Sequence, residues 1–449
     1  MDLIDRILET AVGIVWGIPQ VIFLIGSGII LLIFSRFIPY RGMLHSLKIL
    51  SGKFNNEKDP GEISHFQAMS TALASTVGMG NIGGVAIAIT QGGPGALFWM
   101  WVAALLGMII KFFECTLAVM FRGHDSMGKL QGGPMYYIEV GLGKKYRSLA
   151  IMFSICGMIG CISVFQANQV AEVLKASYNI SPSVTGVLSV IIVAAVILGG
   201  ISRIASVASK LVPVMCLLYL GAAIYIAVLN IEHIPAVFAS IFHDAFTGTA
   251  AAGGAAGIGV ATVIKTGVKR AVFSNEAGLG TAPMAHGAAR TSEPVREGLV
   301  AMYEPLVDTI MICSLTAFII LAAGDWNGSG VQGVALTSQV FEAAMGGFGK
   351  FILVVIVLCF GLSTMFGYSY YGKKCFSYLF GAEKGRWYEY YYLATLYIGA
   401  VWTAGMVVNL IDTAYALMTI PNLIAVILLA PKVVKEMKKY FKKAGLIRS

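Results

Sequence analysis

The chain has 449 residues, of which 57% are hydrophobic and only 12% are charged, and its mean hydropathy is +0.79. A soluble protein carries about 25% charged residues, so this composition excludes a soluble domain and predicts a polytopic membrane protein. The net charge of +9 does not indicate nucleic acid binding, because basic residues of a membrane protein collect at its cytoplasmic face. The predicted partners are the lipid bilayer and a small solute, and nothing in the sequence indicates an obligate protein partner.

A helix needs about 20 apolar residues to cross the hydrocarbon core of a bilayer, and the chain contains eleven runs of that kind. In order, they are 17–37, 64–90, 94–121, 149–176, 183–200, 211–229, 256–289, 298–323, 351–371, 388–408 and 413–430. The connections contain two shorter predicted helices, a surface helix over 234–246 and a helix in an outer loop over 335–345. The predicted fold class is therefore all-α.

Positive charge distinguishes the two sides of this predicted bundle. Most of the 32 lysines and arginines lie in alternate connections and in the tail that begins at Lys432, and cytoplasmic loops are the ones that carry such an excess. The pattern predicts a cell-membrane protein with its N-terminus outside and its C-terminus in the cytoplasm. Lys265, Lys269 and Arg270 are the exception, and they indicate that the seventh span begins late, near Lys269.

The second run contains a stretch that is unfavourable in a membrane-spanning helix. Residues 74–84 read Ala-Ser-Thr-Val-Gly-Met-Gly-Asn-Ile-Gly-Gly, and each glycine inside a helix costs about 1 kcal/mol relative to alanine. The seventh run repeats the pattern, with Gly-Leu-Gly-Thr at 278–281 answering Gly-Met-Gly-Asn at 78–81. Two glycine-interrupted spans at matching places in two halves are typical of a transporter's substrate site. Glycines that serve close helix packing are the alternative interpretation.

The spans also divide into two sets. Without the first helix, five spans precede the long connection at 230–255 and five follow it. Because five is odd, the second set crosses the membrane in the opposite sense, which predicts a 5+5 inverted repeat. The chain is predicted to consist of four units. Residues 1–62 form the extra helix and a cytoplasmic linker, and residues 63–230 form the first repeat. Residues 231–431 form an outer helical loop and the second repeat, and residues 432–449 form a basic cytoplasmic tail.

Two broken helices can hold a zwitterion beside a cation. The half-helix that begins after a break offers free N–H groups and a positive dipole end to a carboxylate, while unwound carbonyls coordinate Na⁺. The breaks therefore predict a site for an amino acid beside a cation such as Na⁺, and we expect no organic cofactor. A channel would need a continuous polar stripe, and an intramembrane enzyme would need a metal motif or a nucleophile with its base. The spans contain neither of these enzyme motifs, so we expect no enzymatic activity.

Several uncharged polar side chains lie within the predicted spans. Gln166 and Gln169 share a face of the fourth span, where substrate contact and interhelical hydrogen bonding are the alternatives. Ser363 and Thr364 lie midway along the ninth span, where they either bind a cation or bond back to their own helix. His286 follows the second break, and a role in proton binding is one alternative for it.

Ionisable residues within the spans are costly and need a reason. Glu276 lies in the second break, so it is either functional or paired. Lys111 and Glu114 are three positions apart on a helix, and we predict that they neutralise each other. Glu304 and Asp308 share a face of the eighth span and are either cation-related or structural. A proton-coupled carrier that uses Glu276, Glu304 or Asp308 is the alternative to sodium coupling.

The motifs resemble those of one known family. Residues 273–286, which read Phe-Ser-Asn-Glu-Ala-Gly-Leu-Gly-Thr-Ala-Pro-Met-Ala-His, closely resemble the signature of the alanine or glycine:cation symporter family. The stretch 132–137, which reads Gly-Gly-Pro-Met-Tyr-Tyr, and the motif at 74–84 are also similar to that family. The resemblance covers nearly the whole chain. It implies the leucine-transporter-like fold of the amino acid–polyamine–organocation superfamily, and Na⁺-coupled uptake of small neutral amino acids such as alanine and glycine.

The resemblance also implies site residues. The substrate-binding residues would be Thr76, Gly78, Met79, Gly80, Gln166, Phe273, Ser274, Asn275, Gly278 and Met365, with the amides of Met79 and Gly80 holding the carboxylate. The first sodium site would use the Thr76 carbonyl and the Asn81 side chain. The second would use the carbonyls of Ala74, Val77 and Phe360 with the hydroxyls of Ser363 and Thr364.

Two details depart from distant relatives of the neurotransmitter type. Asn275 and Glu276 replace small or apolar residues, so the contacts to the substrate's amino group differ. Gln166 stands near an aromatic gate of those relatives, and either Gln166 or Gln169 meets the substrate. A lid at Phe273, together with Met79 and Met365, would leave little room for a side chain and would select small amino acids.

Overall fold

The computed structural model describes residues 2–247, 259–324, 326 and 333–446. The Gly/Ala-rich part of the long connection, the predicted start of the seventh span at 256–258, much of the Gly-rich loop before 333 and the last three residues of the tail lie outside the described part. Predictions that fall on those stretches stay predictions.

Helices make up nearly all of the described secondary structure. In chain order, the helical elements are Asp2–Val15, Ile18–Ser35, Ile38–Arg41, Met43–Leu50, His65–Thr76, Gly80–Gly84, Val85–Gly92, Gly95–Met120, Pro134–Tyr136, Tyr137–Leu142, Lys144–Tyr146, Arg147–Gly160, Val164–Tyr178, Pro182–Ile197, Gly200–Leu229, Ile231–His233, Ile234–Thr247, Val260–Asn275, Ala282–His286, Pro294–Ala301, Tyr303–Pro305, Leu306–Cys313, Ser314–Ala323, Val334–Phe380, Ala382–Lys384, Gly385–Val401 and Ala404–Lys443. Within the described residues, the strands form one short hairpin, in which Gly123–His124 pairs with Leu130–Gln131.

Seven described helices are long and apolar enough to cross a membrane, and a bent pair, His65–Thr76 with Gly80–Gly92, makes an eighth. The seven are Ile18–Ser35, Gly95–Met120, Lys144–Tyr178, Gly200–Leu229, Pro294–Ala323, Val334–Phe380 and Gly405–Lys443. The other predicted spans correspond to shorter helices: Pro182–Ile197 and Val260–Asn275 have 16 residues each and Gly385–Val401 has 17. The count of eleven and the 5+5 repeat therefore stay predictions.

The N-terminal region contains more helix than the sequence predicted. The helix Asp2–Val15 precedes the first predicted span and packs against Ala404–Lys443. The side chains of Trp16 and Gln20, just after it, donate to the carbonyls of Asp412 and Ala416 at 2.8 and 3.2 Å. This helix is too short and too charged to register as a membrane span, so the hydropathy pattern missed it.

The long helix Val334–Phe380 joins two elements that were predicted separately, over 335–345 and 351–371. It bends at Gly346, whose φ of 60° lies outside the helical region. The helix continues beyond the predicted end of the ninth span and includes Lys374, which is 7% exposed. The ammonium group of Lys374 donates to two backbone carbonyls, those of Gly132 and Met284, at 3.3 and 3.0 Å.

The helix before the second break begins at Val260, so Lys269 and Arg270 lie inside it. The predicted late start of the seventh span concerns the membrane boundary and stays a prediction. Both cations contact one carboxylate oxygen of Asp412, at 2.5 and 2.6 Å, and Arg270 is 2% exposed. This acid lies on another helix, more than a hundred residues later, so the sequence pattern did not reveal it.

Small residues bring the helices close enough to position the site. A side-chain carbon at Gly267 would lie 2.4 Å from the carbonyl oxygen of Ala96, and one at Gly107 would lie 2.8 Å from the Ala277 methyl group. The helix Gly95–Met120 can therefore lie directly against the second broken helix. Such contacts supply the packing that hydrophobic burial cannot provide between helices in lipid.

Candidate substrate and ion site

The first break separates two helices whose directions differ by 51°. The first half ends at Thr76, and Val77 has an extended backbone with ψ of 93°. The Asn81 side-chain oxygen accepts a hydrogen bond from the Gly78 amide at 2.8 Å. This bond satisfies a donor that the interrupted helix leaves without its usual partner. The predicted first break is confirmed.

The second break follows the helix Val260–Asn275. Glu276 adopts a left-handed conformation with φ of 58°, and Gly278 and Gly280 have φ of 89° and 81°. Glycine is the residue that takes such angles without steric cost, which is why the repeated Gly-x-Gly pattern predicted an interruption here. The short helix Ala282–His286 then begins. The second predicted break is confirmed as well.

The two breaks lie against each other. A side-chain carbon at Gly80 would lie 3.2 Å from Ser274 Cα and 3.4 Å from the Phe273 ring. Met79, Gly80 and Ser274 are buried. The structure therefore brings together three of the residues implied as substrate contacts, Gly80, Phe273 and Ser274, at a buried point between two interrupted helices.

Asp308 links the two breaks. Its Oδ1 accepts a hydrogen bond from Asn81 Nδ2 at 2.6 Å, and its Oδ2 accepts one from Ser274 Oγ at 2.7 Å. Thr309 Oγ1 donates to the same Oδ2 at 2.8 Å, and Asn275 Nδ2 donates in turn to Thr309 Oγ1 at 3.0 Å. All three groups that donate to the carboxylate, an amide and two hydroxyls, are neutral. A buried acceptor of this kind is suited to an additional cation.

The residues implied for the second sodium site also lie close together. A side-chain carbon at Gly78 would lie 2.3 Å from Thr364 Oγ1 and 3.6 Å from the Phe360 carbonyl oxygen. The hydroxyls of Ser363 and Thr364 donate to that carbonyl at 2.9 and 3.0 Å. The first break therefore faces two hydroxyls and a carbonyl on Val334–Phe380.

The other implied first-break ligands occupy the last turn before the interruption. Ala74 and Val77 are fully buried, and Thr76 is 4% exposed. The Thr76 hydroxyl donates back to the Ala72 carbonyl at 3.1 Å. Because the helix ends at Thr76, the backbone carbonyl of this residue, which the resemblance implicates, lies at the edge of the break.

Phe273 is surrounded by aromatic rings and a cation. Its ring centroid lies 5.2 Å from that of Phe165 and 5.6 Å from that of Tyr415. The Arg270 guanidinium lies 5.1 Å from the centroid of the Phe273 ring. The Arg270–Asp412 ion pair therefore lies against the Phe273 ring, next to the second break.

The remaining implied contacts differ in position. Gln166 and Gln169 are both 4% exposed; the Gln166 side-chain oxygen is buried without a hydrogen bond, whereas Gln169 bonds to Asn168 and Glu172. Met365 is fully buried. The Gly278 carbonyl accepts a hydrogen bond from Asn422 at 2.7 Å, and a side-chain carbon at Gly278 would meet Leu24 and Leu423 rather than residues of the first break.

Glu276 is paired rather than free. Its two oxygens accept hydrogen bonds from the hydroxyls of Thr281 and Tyr368. Tyr368 also bonds to Tyr415, the residue that contacts the Phe273 ring. Glu276 therefore stabilises the turn of the second break from within.

The predicted pairing of Lys111 with Glu114 was wrong. The Lys111 ammonium contacts Glu304 Oε2 at 2.8 Å, and Glu114 accepts a hydrogen bond from Asn422. Glu304 also contacts His286 Nε2 at 2.6 Å. Spacing on one helix predicted the wrong partner because the helices here pack closely enough for a cross-helix pair to form instead.

An interrupted-helix bundle with a buried site of this kind defines a secondary transporter of the leucine-transporter-like fold. Among solved structures, the chain is similar to MhsT in complex with L-phenylalanine, with a TM-score of 0.60 and 15% identity, over 82% of this chain and 89% of that chain. The sodium:alanine symporter family matches residues 1–446, and the chain belongs to that family.

Two curated relatives match over almost their whole length. The sodium/alanine symporter AgcS of Methanococcus maripaludis is 40% identical over 98% of both chains. The putative sodium/proton-dependent alanine carrier protein YrbD of Bacillus subtilis is 36% identical over 97% of this chain and 92% of its own. The protein is therefore an amino acid symporter of the plasma membrane with multiple spans, and it is not an enzyme.

Proposed function

We propose that this protein is a sodium-coupled symporter that imports alanine or glycine. The observation that carries the proposal is the Asp308 carboxylate, which accepts hydrogen bonds from Asn81 and Ser274 and so touches both breaks. A cation bound beside Asp308 would offset its buried negative charge. The same cation would draw the two half-helices together when it binds.

The substrate would lie on the other side of this ion. The amides of Met79 and Gly80 at the start of the second half-helix would bind the substrate carboxylate. The buried, unpartnered oxygen of Gln166 would accept a hydrogen bond from the substrate ammonium group. Phe273 would cover the site, and its crowded surroundings would exclude larger side chains.

A second sodium ion would bind between the first break and the long helix Val334–Phe380. Phe360, Ser363 and Thr364 would supply oxygens from that helix, and Ala74 and Val77 would supply carbonyls from the other side. This ion would connect the moving broken helix to its neighbour. Its release would allow one group of helices to move against the rest, as in alternating access.

Proton coupling is the alternative, because the relative YrbD is named a putative sodium/proton-dependent alanine carrier protein. Of the three acids considered for it, Glu276 and Glu304 already have partners, namely Thr281 and Tyr368 for the first and Lys111 and His286 for the second. Asp308 accepts neutral donors at both oxygens. Unlike Glu276, Asp308 receives its bonds from both breaks, from Asn81 in the first and Ser274 in the second, so a cation beside it would act on both.

Radiolabelled alanine uptake into proteoliposomes tests the proposal. An inward sodium gradient should drive accumulation, and replacing sodium by choline at fixed pH should abolish it. Empty liposomes and a collapsed gradient are the controls, and unlabelled glycine should compete. Uptake that persists in choline and follows an imposed proton gradient would contradict sodium coupling. Accelerated exchange in a counterflow experiment would distinguish a carrier from a channel.

A further inference from the structure

A chain of five buried ionisable side chains lies outside the substrate site. His286 is at its centre: Nδ1 contacts Glu297 Oε2 at 2.5 Å, and Nε2 contacts Glu304 Oε1 at 2.6 Å. Glu297 also bonds to His65 through its other oxygen, and Glu304 also bonds to Lys111 at 2.8 Å. All five side chains are at most 1% exposed. We name this group the His286 cluster.

Hydrogen-bond geometry fixes the number of protons in the cluster. Both ring nitrogens of His286 face carboxylate oxygens, which accept hydrogen bonds when ionised. Two such bonds require either an imidazolium at His286 or one protonated carboxyl group beside a neutral imidazole. In both descriptions, His286 and its two carboxyl neighbours hold one exchangeable proton between them.

That proton balances the charge of the cluster. With it, Lys111 and His286 carry two positive charges, which offset the two negative charges of Glu297 and Glu304. Loss of the shared proton would leave one net negative charge in the interior, which is costly.

Other charged or titratable groups surround the cluster on neighbouring elements. Glu114 and Glu276 are within electrostatic range of Lys111, and Cys115 is within range of both cluster carboxylates. The Arg122 side chain is within range of Glu297 and donates to the carbonyl of Gly287 at 2.8 Å. Glu114 and Glu276 have hydrogen-bond donors of their own, Asn422 for the first and Thr281 and Tyr368 for the second.

The cluster connects two half-helices, the one that precedes the first break and the one that follows the second break. His65 begins the half-helix before the first break, and His286 ends the half-helix after the second. The backbone links the same two stretches, since Ile63 and Ala289 form a bridge and the Arg290 amide donates to the Ile63 carbonyl at 2.7 Å. The two half-helices are thus fastened to each other and, through Glu297, Glu304 and Lys111, to two long helices.

We propose that the His286 cluster binds one proton and acts as a clamp that makes these four helical segments move as one body, and that loss of the proton loosens the clamp. Its effect on uptake rests on the proposed transport function. Its effect on stability does not, because the clamp belongs to the folded protein whatever it transports. Alkaline pH should therefore lower both the stability and the rate of transport.

The first experiment measures the melting temperature of the purified protein from about pH 6 to about pH 10, a range that brackets the ordinary titration of histidine and extends well above it. The wild type should lose several degrees toward alkaline pH. A charge-balanced double variant, His286→Gln with Glu297→Gln, keeps the Lys111–Glu304 pair and has no shared proton, so its profile should be flatter. His286→Gln alone carries an unbalanced carboxylate and should melt below the double variant. His243→Gln, at a side chain that is 71% exposed, is the matched control and should follow the wild type.

The second experiment measures initial rates of alanine uptake over the same pH range at saturating sodium. The double variant should lose most of the alkaline decline that the wild type shows. A double variant whose melting and uptake profiles both retain the wild-type pH dependence would overturn the proposal. Failure of the wild type to transport alanine would refute the proposed function instead, and the melting profiles would still test the clamp.

Discussion

Glu304 and Asp308 are four positions apart on one span and are equally buried, yet their surroundings differ. Glu304 contacts two basic side chains, Lys111 and His286. Asp308 accepts hydrogen bonds from an amide and two hydroxyls, all of them neutral. The negative charge of a carboxylate that contacts cationic side chains is already neutralised within the folded protein. Among the described residues no cationic side chain forms an ion pair with Asp308, and its donors Asn81 and Ser274 lie in the two breaks, which is why we assign sodium to Asp308 and a structural role to Glu304.

The largest expected effect is that of Asp308→Asn. The change keeps the shape of the side chain and removes the charge that would attract sodium. Removing one partner of a buried charge pair costs about 3–5 kcal/mol, so the sodium affinity should fall by at least about 100-fold. Sodium-driven alanine uptake measured over a range of sodium concentrations checks this.

The control for Asp308→Asn is Glu57→Gln, at an exposed position, which should transport normally. The Asp308→Asn protein should melt at or above the wild-type temperature, because the unbalanced charge has been removed. A variant that transports with unchanged sodium dependence would show that Asp308 and Glu304 do not differ in role.

Lys111→Met probes the other carboxylate. It leaves Glu304 with only His286 as a cationic partner, so the free energy of unfolding should fall by about 3–5 kcal/mol. Chemical denaturation in detergent measures the loss. Adding Glu304→Gln should restore part of the stability, because the second change removes the unbalanced charge. Equal stability of the single and double variants would contradict a structural role for this pair.

Gly78→Ala tests the close approach between the first break and the helix Val334–Phe380. The new methyl group would lie 2.3 Å from Thr364 Oγ1, which no real contact permits, so the hydroxyl must move away. Sodium dependence of uptake should weaken by about 10-fold or more, corresponding to about 1.4 kcal/mol. Gly221→Ala, where no atom lies within 4 Å, should leave uptake unchanged.

The last prediction concerns substrate size. Met365→Ala should enlarge the pocket and raise the uptake of serine or leucine relative to alanine. A side-chain carbon in an apolar pocket is worth about 1–3 kcal/mol, so the relative rates should change by about 10-fold to 200-fold at most. Competition by unlabelled amino acids against labelled alanine measures the change. Unchanged ratios would mean that Met365 does not limit substrate size.

The sequence predicted the parts of the site that depend on the backbone. Glycines at 78, 80, 278 and 280 cannot support a continuous helix, and both interruptions occur where those residues lie. The hydroxyls of Ser363 and Thr364 both bond back to the Phe360 carbonyl of their own helix, Thr364 lies next to Gly78, and a cation site at these residues stays a prediction.

Pairings between side chains were much harder to predict. Lys111 was assigned to Glu114 by spacing, whereas helix packing gives it Glu304. Lys269 and Arg270 were predicted to mark the start of the seventh span, and their partner Asp412 was not predicted because it is remote in the sequence. Asp308 could be identified as an ionisable group inside a span, but only the packing of three helices shows that both breaks meet it. Sequence periodicity predicts which residues share one face of a helix. It does not predict which other helix packs against that face.

Binding of radioactive sodium to the purified protein tests the central claim most directly. Alanine should increase sodium binding by the wild type, and this increase should be absent in Asp308→Asn, while Lys111→Met with Glu304→Gln should retain it. Alanine-stimulated sodium binding of wild-type strength in Asp308→Asn would contradict the assignment of sodium to the point where the two broken helices meet.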